Sequence, residues 1–104
     1  MSNVTVFENE MFGSIRVVEI NGEPWFVGKD VCNCLDIHNS RDAIVRLDND
    51  EKNTVVLTDG TPGNPNRTVV SEPGLYTLIL SSRKPEAKEF KRWVTHEVSE
   101  RKWV

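Results

Sequence analysis

Five residues in the last third of the chain have types and spacing suited to holding phosphate. Lys84, Lys88, Lys91, Arg92 and Thr95 follow at i, i+4, i+7, i+8 and i+11, which places them on one face of a helix. Ser81, Ser82 and Arg83 stand at the turn just before it. Hydroxyls and exposed amides at a helix start contact phosphate oxygens, and Arg and Lys supply charge. Ser82, Arg83, Lys84, Lys88, Lys91 and Arg92 are therefore the candidate nucleic-acid-binding residues. The competing reading is that Glu86 and Glu89 pair with these cations and leave an ordinary solvated helix.

Other chemistry is sparse. The chain has no G-x-S-x-G elbow, no P-loop, no H-E-x-x-H and no dinucleotide glycine motif. His38 falls in a loop, and His96 sits on the last helix beside Thr95 and Glu97, which point elsewhere. Asp48, Asp50 and Glu51 could bind a hard cation, but they lack the glycine and distal glutamate of a calcium loop. A solvated turn is the simpler reading. Cys32 and Cys34 have a C-x-C spacing that suits neither a local disulfide nor a four-ligand zinc site. They read as buried small hydrophobes of a reducing cytoplasm. The expectation is no enzyme, no catalytic residue, no metal and no cofactor.

The charge is unevenly spread. Thirteen basic and sixteen acidic residues give a net charge of −3, which argues against bulk coating of nucleic acid. Residues 1–80 carry six Lys/Arg and twelve Asp/Glu, whereas residues 81–104 carry seven and four. Such asymmetry points to a nucleic-acid or acidic partner as readily as to a solvated surface helix.

These side chains must be positioned by a small scaffold. A chain of 104 residues can bury roughly 65% of its unfolded surface, enough for one core without disulfides or metal. No apolar run approaches the roughly 20 residues that span a bilayer, and the N-terminus lacks the pattern of a signal peptide. Val4 and Val6 alternate with Thr5 and Phe7 in a first strand. Residues 14–20 form a second, where Ile15 and Val17 give way to Val18 and Ile20 out of phase. That change predicts a bulge or a strand buried on both sides. Asn21-Gly22-Glu23-Pro24 is turn chemistry, and Trp25-Phe26-Val27 returns as a third strand.

Two short helices are expected next. The first, over residues 29–35, buries Val31, Cys32 and Leu35. The second, over residues 41–47, is capped by Ser40, with Ile44, Val45 and Leu47 facing inward. Residues 48–53 read as a loop, and residues 54–58 and 67–70 as a hairpin. Its long connection, residues 59–66, is expected to be mobile and dispensable for folding. Ser71 caps a core helix over residues 72–80 that carries Leu75, Tyr76, Leu78 and Ile79. Pro85 starts a last helix reaching about residue 102, with Phe90, Trp93, Val94 and Val98 in one apolar stripe. The fold class is α+β: a small antiparallel sheet, built from a meander and a hairpin, packed with about four helices.

Three stretches, in order, resemble the N-terminal domain of the BRO family, named for baculovirus repeated open reading frames. They are Gly22 to Val31 (GEPWFVGKDV), Ser71 to Tyr76 (SEPGLY), and Ser82 to Val98 (SRKPEAKEFKRWVTHEV). The resemblance implies a transcriptional regulator of the phage or prophage antirepressor type, cytoplasmic in a bacterial host, that binds DNA through the basic C-terminal helix. The alternative is a protein-interaction module that binds a phage repressor without contacting DNA. The expected partners are thus DNA or a phage repressor protein, with no membrane; a homo-oligomer stays open. Trp25 and Phe26 look like core anchors against which Trp93 can pack. Family members usually continue beyond this point into a second domain. The chain therefore reads as a single domain, residues 1–104, without the C-terminal antirepressor domain. Cys32-Asn33-Cys34 departs from the family's usual small or polar residues, a matter of packing.

Overall fold

A computed structural model describes residues 4–57, 63 and 65–99. The chain opens with strands β1 (Val4–Asn9), β2 (Gly13–Ile20) and β3 (Glu23–Val27), an antiparallel meander. The Asn9 side chain accepts from the amides of Met11 at 2.8 Å and Phe12 at 3.2 Å, closing the first turn. The second turn is the expected one. Asn21 and Gly22 have φ of 53° and 79°, the paired positive values that suit a two-residue hairpin.

The β1–β2 register runs without a slip from Val4↔Val18 to Asn9↔Gly13, so the phase change in β2 is not a bulge. It marks a strand buried on both faces. Ile15 and Val17 join a large cluster with Phe26, Val31, Leu75, Phe90 and Val94. Val18 joins a smaller one with Val27, Leu57 and Val69, backed by Ile20 and Trp25. Successive strand residues point to opposite faces, so the sheet has two separate apolar sides. Trp25 lies in the smaller cluster and Trp93 packs on the larger. The expected packing of Trp93 against Trp25 is therefore wrong. Trp93 instead stacks on Phe12, with centroids 6.1 Å apart and planes 15° apart, and meets Phe90 edge-on at 5.8 Å.

At Val27 the chain leaves the sheet directly into α1 (Gly28–Cys34). On its β3 side, β2 is then unpaired at Arg16, and Asp30 in the first turn of α1 takes the vacant place. Its Oδ2 accepts from the Arg16 backbone amide at 2.9 Å and from Arg16 Nε at 2.8 Å, while Oδ1 accepts from Arg16 Nη2 at 3.1 Å. A buried or half-buried amide without a partner costs about 1–3 kcal/mol, so this carboxylate makes the early exit of β3 tolerable.

Helix α2 (Ser40–Val45) is shorter than expected, and its cap is Asn39, whose side chain accepts from Asp42 N at 3.2 Å. Ser40 is its first residue instead. Ala43 packs on the core and Ile44 lies against Gly28, where a Cβ would come within 2.6 Å of its Cδ1. Val45 does not face inward and is 66% exposed. With only six residues, the helix has one contact face, and Val45 lies about 100° round from Ile44. Lys52 Nζ donates to the carbonyls of Ile44 at 3.4 Å and Val45 at 3.2 Å, closing the helix end.

The segment expected to be a loop holds a 3₁₀ turn, Asn49–Glu51, and the start of β4 (Lys52–Val56). Glu51 Oε1 accepts from Asp48 N at 3.0 Å, so this carboxylate serves the turn. β4 pairs with β5 (Asn66–Val70), and β5 pairs with β3 through Phe26↔Val70 and Val27↔Val69. The sheet order is β1-β2-β3-β5-β4, antiparallel throughout. The expected mobile connection falls largely outside the described residues; its last residue, Asn66, belongs to β5.

Helix α3 (Glu72–Ser81) starts as its sequence predicts, with Ser71 Oγ accepting from Gly74 N at 3.3 Å. Its first turn presses on the 3₁₀ turn, and Ser71 N donates to Glu51 O at 2.9 Å. The last helix, α4 (Ala87–Trp93), begins two residues later than Pro85 and widens into π turns over Val94–Ser99. Phe90, Val94 and Val98 are all fully buried. In an α-helix, steps of four drift by about 40° each. The wider i→i+5 turns offset that drift and keep Val98 on the core side.

Gly74 supplies a test of this packing. A Cβ there would lie 2.8 Å from the Glu51 carbonyl oxygen, a backbone atom that cannot rotate away. Alanine normally favours a helix over glycine by about 1 kcal/mol. Here Gly74→Ala is expected to lower stability by about 1–3 kcal/mol through overpacking, read from urea unfolding. A more stable variant would show that α3 does not rest on the 3₁₀ turn.

Candidate nucleic-acid interface

The six residues picked from sequence divide into two groups. Arg83, Lys88, Lys91 and Arg92 are exposed. Arg83 lies on the turn before α4, Lys88 and Arg92 on the side of α4 away from Phe90 and Val94, and Lys91 at its flank. Lys91 Nζ stands 5.8 Å from the centre of the Tyr76 ring, a cation–π contact that links α4 to α3. Among the described residues, Arg83, Lys88 and Arg92 form no ion pair. Glu86 and Glu89 thus form no ion pair with these three cations. Thr95 is half-buried and spends its hydroxyl on Lys91 O at 2.7 Å.

Ser82 and Lys84 turn the other way. Lys84 is not on the helix face, because α4 begins only at Ala87. Its side chain is 15% exposed, its Nζ donates to Cys34 O at 3.1 Å, and it pairs with Asp36 at 3.2 Å. It also lies over the Phe12 ring at 5.4 Å. Ser82 Oγ donates to Leu35 O at 3.1 Å and accepts from Lys84 N at 3.1 Å.

These contacts complete the end of α1. The last carbonyls of a helix have no intrahelical donor. Asp36 adopts φ 56°, and the amides of Asp36 and Ile37 donate back to Asn33 O at 3.3 Å and Cys32 O at 2.8 Å, a Schellman arrangement. That leaves the Cys34 and Leu35 carbonyls, which Lys84 and Ser82 satisfy. A cation at a helix C-terminus is also favoured by the helix dipole. The exposed cationic set is therefore Arg83, Lys88, Lys91 and Arg92, with Ser82 and Lys84 holding the turn that presents it.

Sequence reasoning missed a second basic place. β5 runs three residues beyond its pairing with β3, and there a cleft of about 330 Å³ opens between α1, α2 and β5. Lys29, Arg41 and Arg67 line it together with Ser40, Asn66 and Thr68. These residues come from three separate elements, so no spacing in the chain announces them.

Both cysteines are buried and reduced. Burial pushes the Cys32 thiol up to about 11, and burial together with the nearby Asp30 charge does the same for Cys34. No group of three or more His, Cys, Asp or Glu among the described residues is arranged to hold a metal ion. No helix among them is long and apolar enough to cross a membrane.

Two basic places on a five-stranded α+β scaffold are the setting for the comparisons with known proteins. Residues 14–100 match the family model described as BRO family, N-terminal domain. The chain belongs to that family. It is 41% identical over 85 residues to an uncharacterised protein of Haemophilus influenzae, covering 81% of this chain and 42% of that protein. Two Bro-N domain-containing proteins of invertebrate iridescent virus 6 are 36% and 30% identical, over 68% and 91% of this chain. The chain spans 21% and 27% of those viral proteins, so it covers less than half the length of each of these relatives. No solved structure is a significant match.

Two outcomes test the site's framework. Lys84→Met should lower stability by about 1–3 kcal/mol, since it strips a partner from a half-buried carbonyl. Lys88→Ala should change it by less than about 0.5 kcal/mol; equal effects in urea melts would contradict the division of roles. The thiols give a pH dependence. They stay protonated in the fold but ionise near 9 when unfolded, so their contribution is complete below about pH 9 and is lost as pH rises through 11. The urea midpoint should fall across that window more steeply in the parent than in the Cys32→Ala/Cys34→Ala variant.

Proposed function

We propose that this domain is a transcriptional regulator of the phage antirepressor type that contacts the DNA backbone through Arg83, Lys88, Lys91 and Arg92. The observation that carries the reading is the exposure of these four cations on one turn and helix, with no ion pair at Arg83, Lys88 or Arg92 among the described residues. A rigid mount supports it, because Ser82 and Lys84 tie the preceding turn to α1. Family membership adds a viral and bacterial setting, without extending any whole-protein activity to this chain. The net charge of −3 favours binding through a local patch over bulk attraction.

One observation favours the second reading, a surface for a repressor protein. Leu80, at the end of α3 and three residues before Arg83, is 86% exposed. An apolar side chain that open, beside cations, suits a protein contact.

Salt dependence separates the two. Four phosphate contacts release about four counterions, so log K against log salt should have a slope near −3.6. Lys88→Ala/Lys91→Ala should flatten it by about two units and weaken all duplex sequences alike. Absence of any duplex binding at low salt would reject the DNA reading. Binding to a repressor that is lost in Leu80→Asp but kept in the lysine variant would establish the other.

A further inference from the structure

We propose that the cleft between α1, α2 and β5 is a phosphate-ester binding site, with Lys29 and Arg41 as its principal ligands. It lies on other elements than the α4 face and stands independently of it.

Three cations line the cleft, and none of its described lining residues is acidic. In a domain that carries more acid than base, this concentration of one sign is unusual, and it favours an anion. Lys29 and Arg41 are exposed and form no hydrogen bond or ion pair among the described residues. Their charge is therefore not spent on the fold. The other cations on this side are spent there: Lys52 closes α2 through two carbonyls, and Arg46 pairs with Asp42 at 2.9 Å. Arg67 is half-buried and held through Nη1 to Asn66 O at 3.0 Å, which fixes its position in the wall.

The hydroxyls of Ser40 and Thr68 add neutral donors to the same wall. A guanidinium, an ammonium and hydroxyl donors are the usual partners of phosphate oxygens. Ile44 and the exposed Val45 add apolar lining, which suits the sugar or base attached to that phosphate. The volume, about 330 Å³, is at the small end for ligand pockets, enough for one nucleotide unit. The phosphate can come from a nucleic-acid backbone or from a free nucleotide.

The experiment follows the backbone amides of Ser40, Arg41 and Thr68 by NMR in the 104-residue chain at low salt. The probes are inorganic phosphate, adenosine monophosphate and a short DNA duplex. Saturable shifts at these amides are expected. If the duplex alone produces them, the ligand is a backbone phosphodiester; if the monophosphate does too, it is a free phosphate ester. Lys29→Ala/Arg41→Ala should weaken the effective probe by about tenfold, as two charged contacts are lost, with an unchanged melting temperature. The proposal is overturned by no saturable shift with any probe or by equal affinity in the cleft variant.

Discussion

The carbonyl end of a seven-residue helix sets the position of the basic surface. Five residues, 35–39, carry the chain from the end of α1 to α2. Local geometry satisfies some of the end carbonyls, through Asp36 in its left-handed conformation and the back-bonded amides of Asp36 and Ile37. The Cys34 and Leu35 carbonyls are met by Lys84 and Ser82, 50 and 47 residues away. This long-range cap docks the α3–α4 turn on α1. It leaves Arg83, between the two inward residues, pointing out. The exposed cations of α4 owe their orientation to this contact and to the buried stripe of Phe90, Val94 and Val98 on the other side.

The same logic operates where β3 becomes α1. A strand that ends early strands the amide of its neighbour, and Asp30 repairs the defect while pairing with the Arg16 side chain. The early exit has a second consequence. β5 continues past the point where β3 has left, so its first residues border an open space in place of a strand. α2, pressed on Gly28 by Ile44, closes the far side of that space. The cleft with Lys29, Arg41 and Arg67 is thus a product of topology: one strand ends, one helix departs, and the next strand runs on.

Features whose cause lies within a few residues were legible in the sequence. The Asn21-Gly22 turn, the Ser71 cap and the apolar stripe of α4 each follow from neighbours in the chain, whereas the phase change in β2 left a bulge and a doubly buried strand open until the register decided. The α+β class also follows from neighbours, since strands and helices announce themselves by different periods. Features set by distant partners were not legible. Lys84 fits the helical spacing of Lys88 and Lys91, yet a turn at Pro85-Glu86 delays the helix and a carbonyl in α1 captures the amine. Val45 looks apolar and inward, but a six-residue helix has only one face to bury. Trp25 and Trp93 look like partners until the sheet places them on opposite sides. The cleft cations gave no signal, because their proximity exists only in the folded sheet.

The stretches that carry the family resemblance combine two kinds of residue. Asp30, Ser71, Gly74, Ser82 and Lys84 each have a structural task that a named contact explains: a repaired strand edge, a helix cap, a close approach to Glu51 and the end of α1. Lys29, Arg83, Lys88 and Arg92 lie in the same stretches, yet none of them forms an ion pair or a side-chain hydrogen bond among the described residues. The fold does not need their charge. Exposed cations are cheap to keep, but they are not required at these places for stability. What the motifs share with the family is therefore first a scaffold and then a charge pattern displayed on it. The pattern has two centres, α4 and the cleft beside β5, separated by elements that hold each in place.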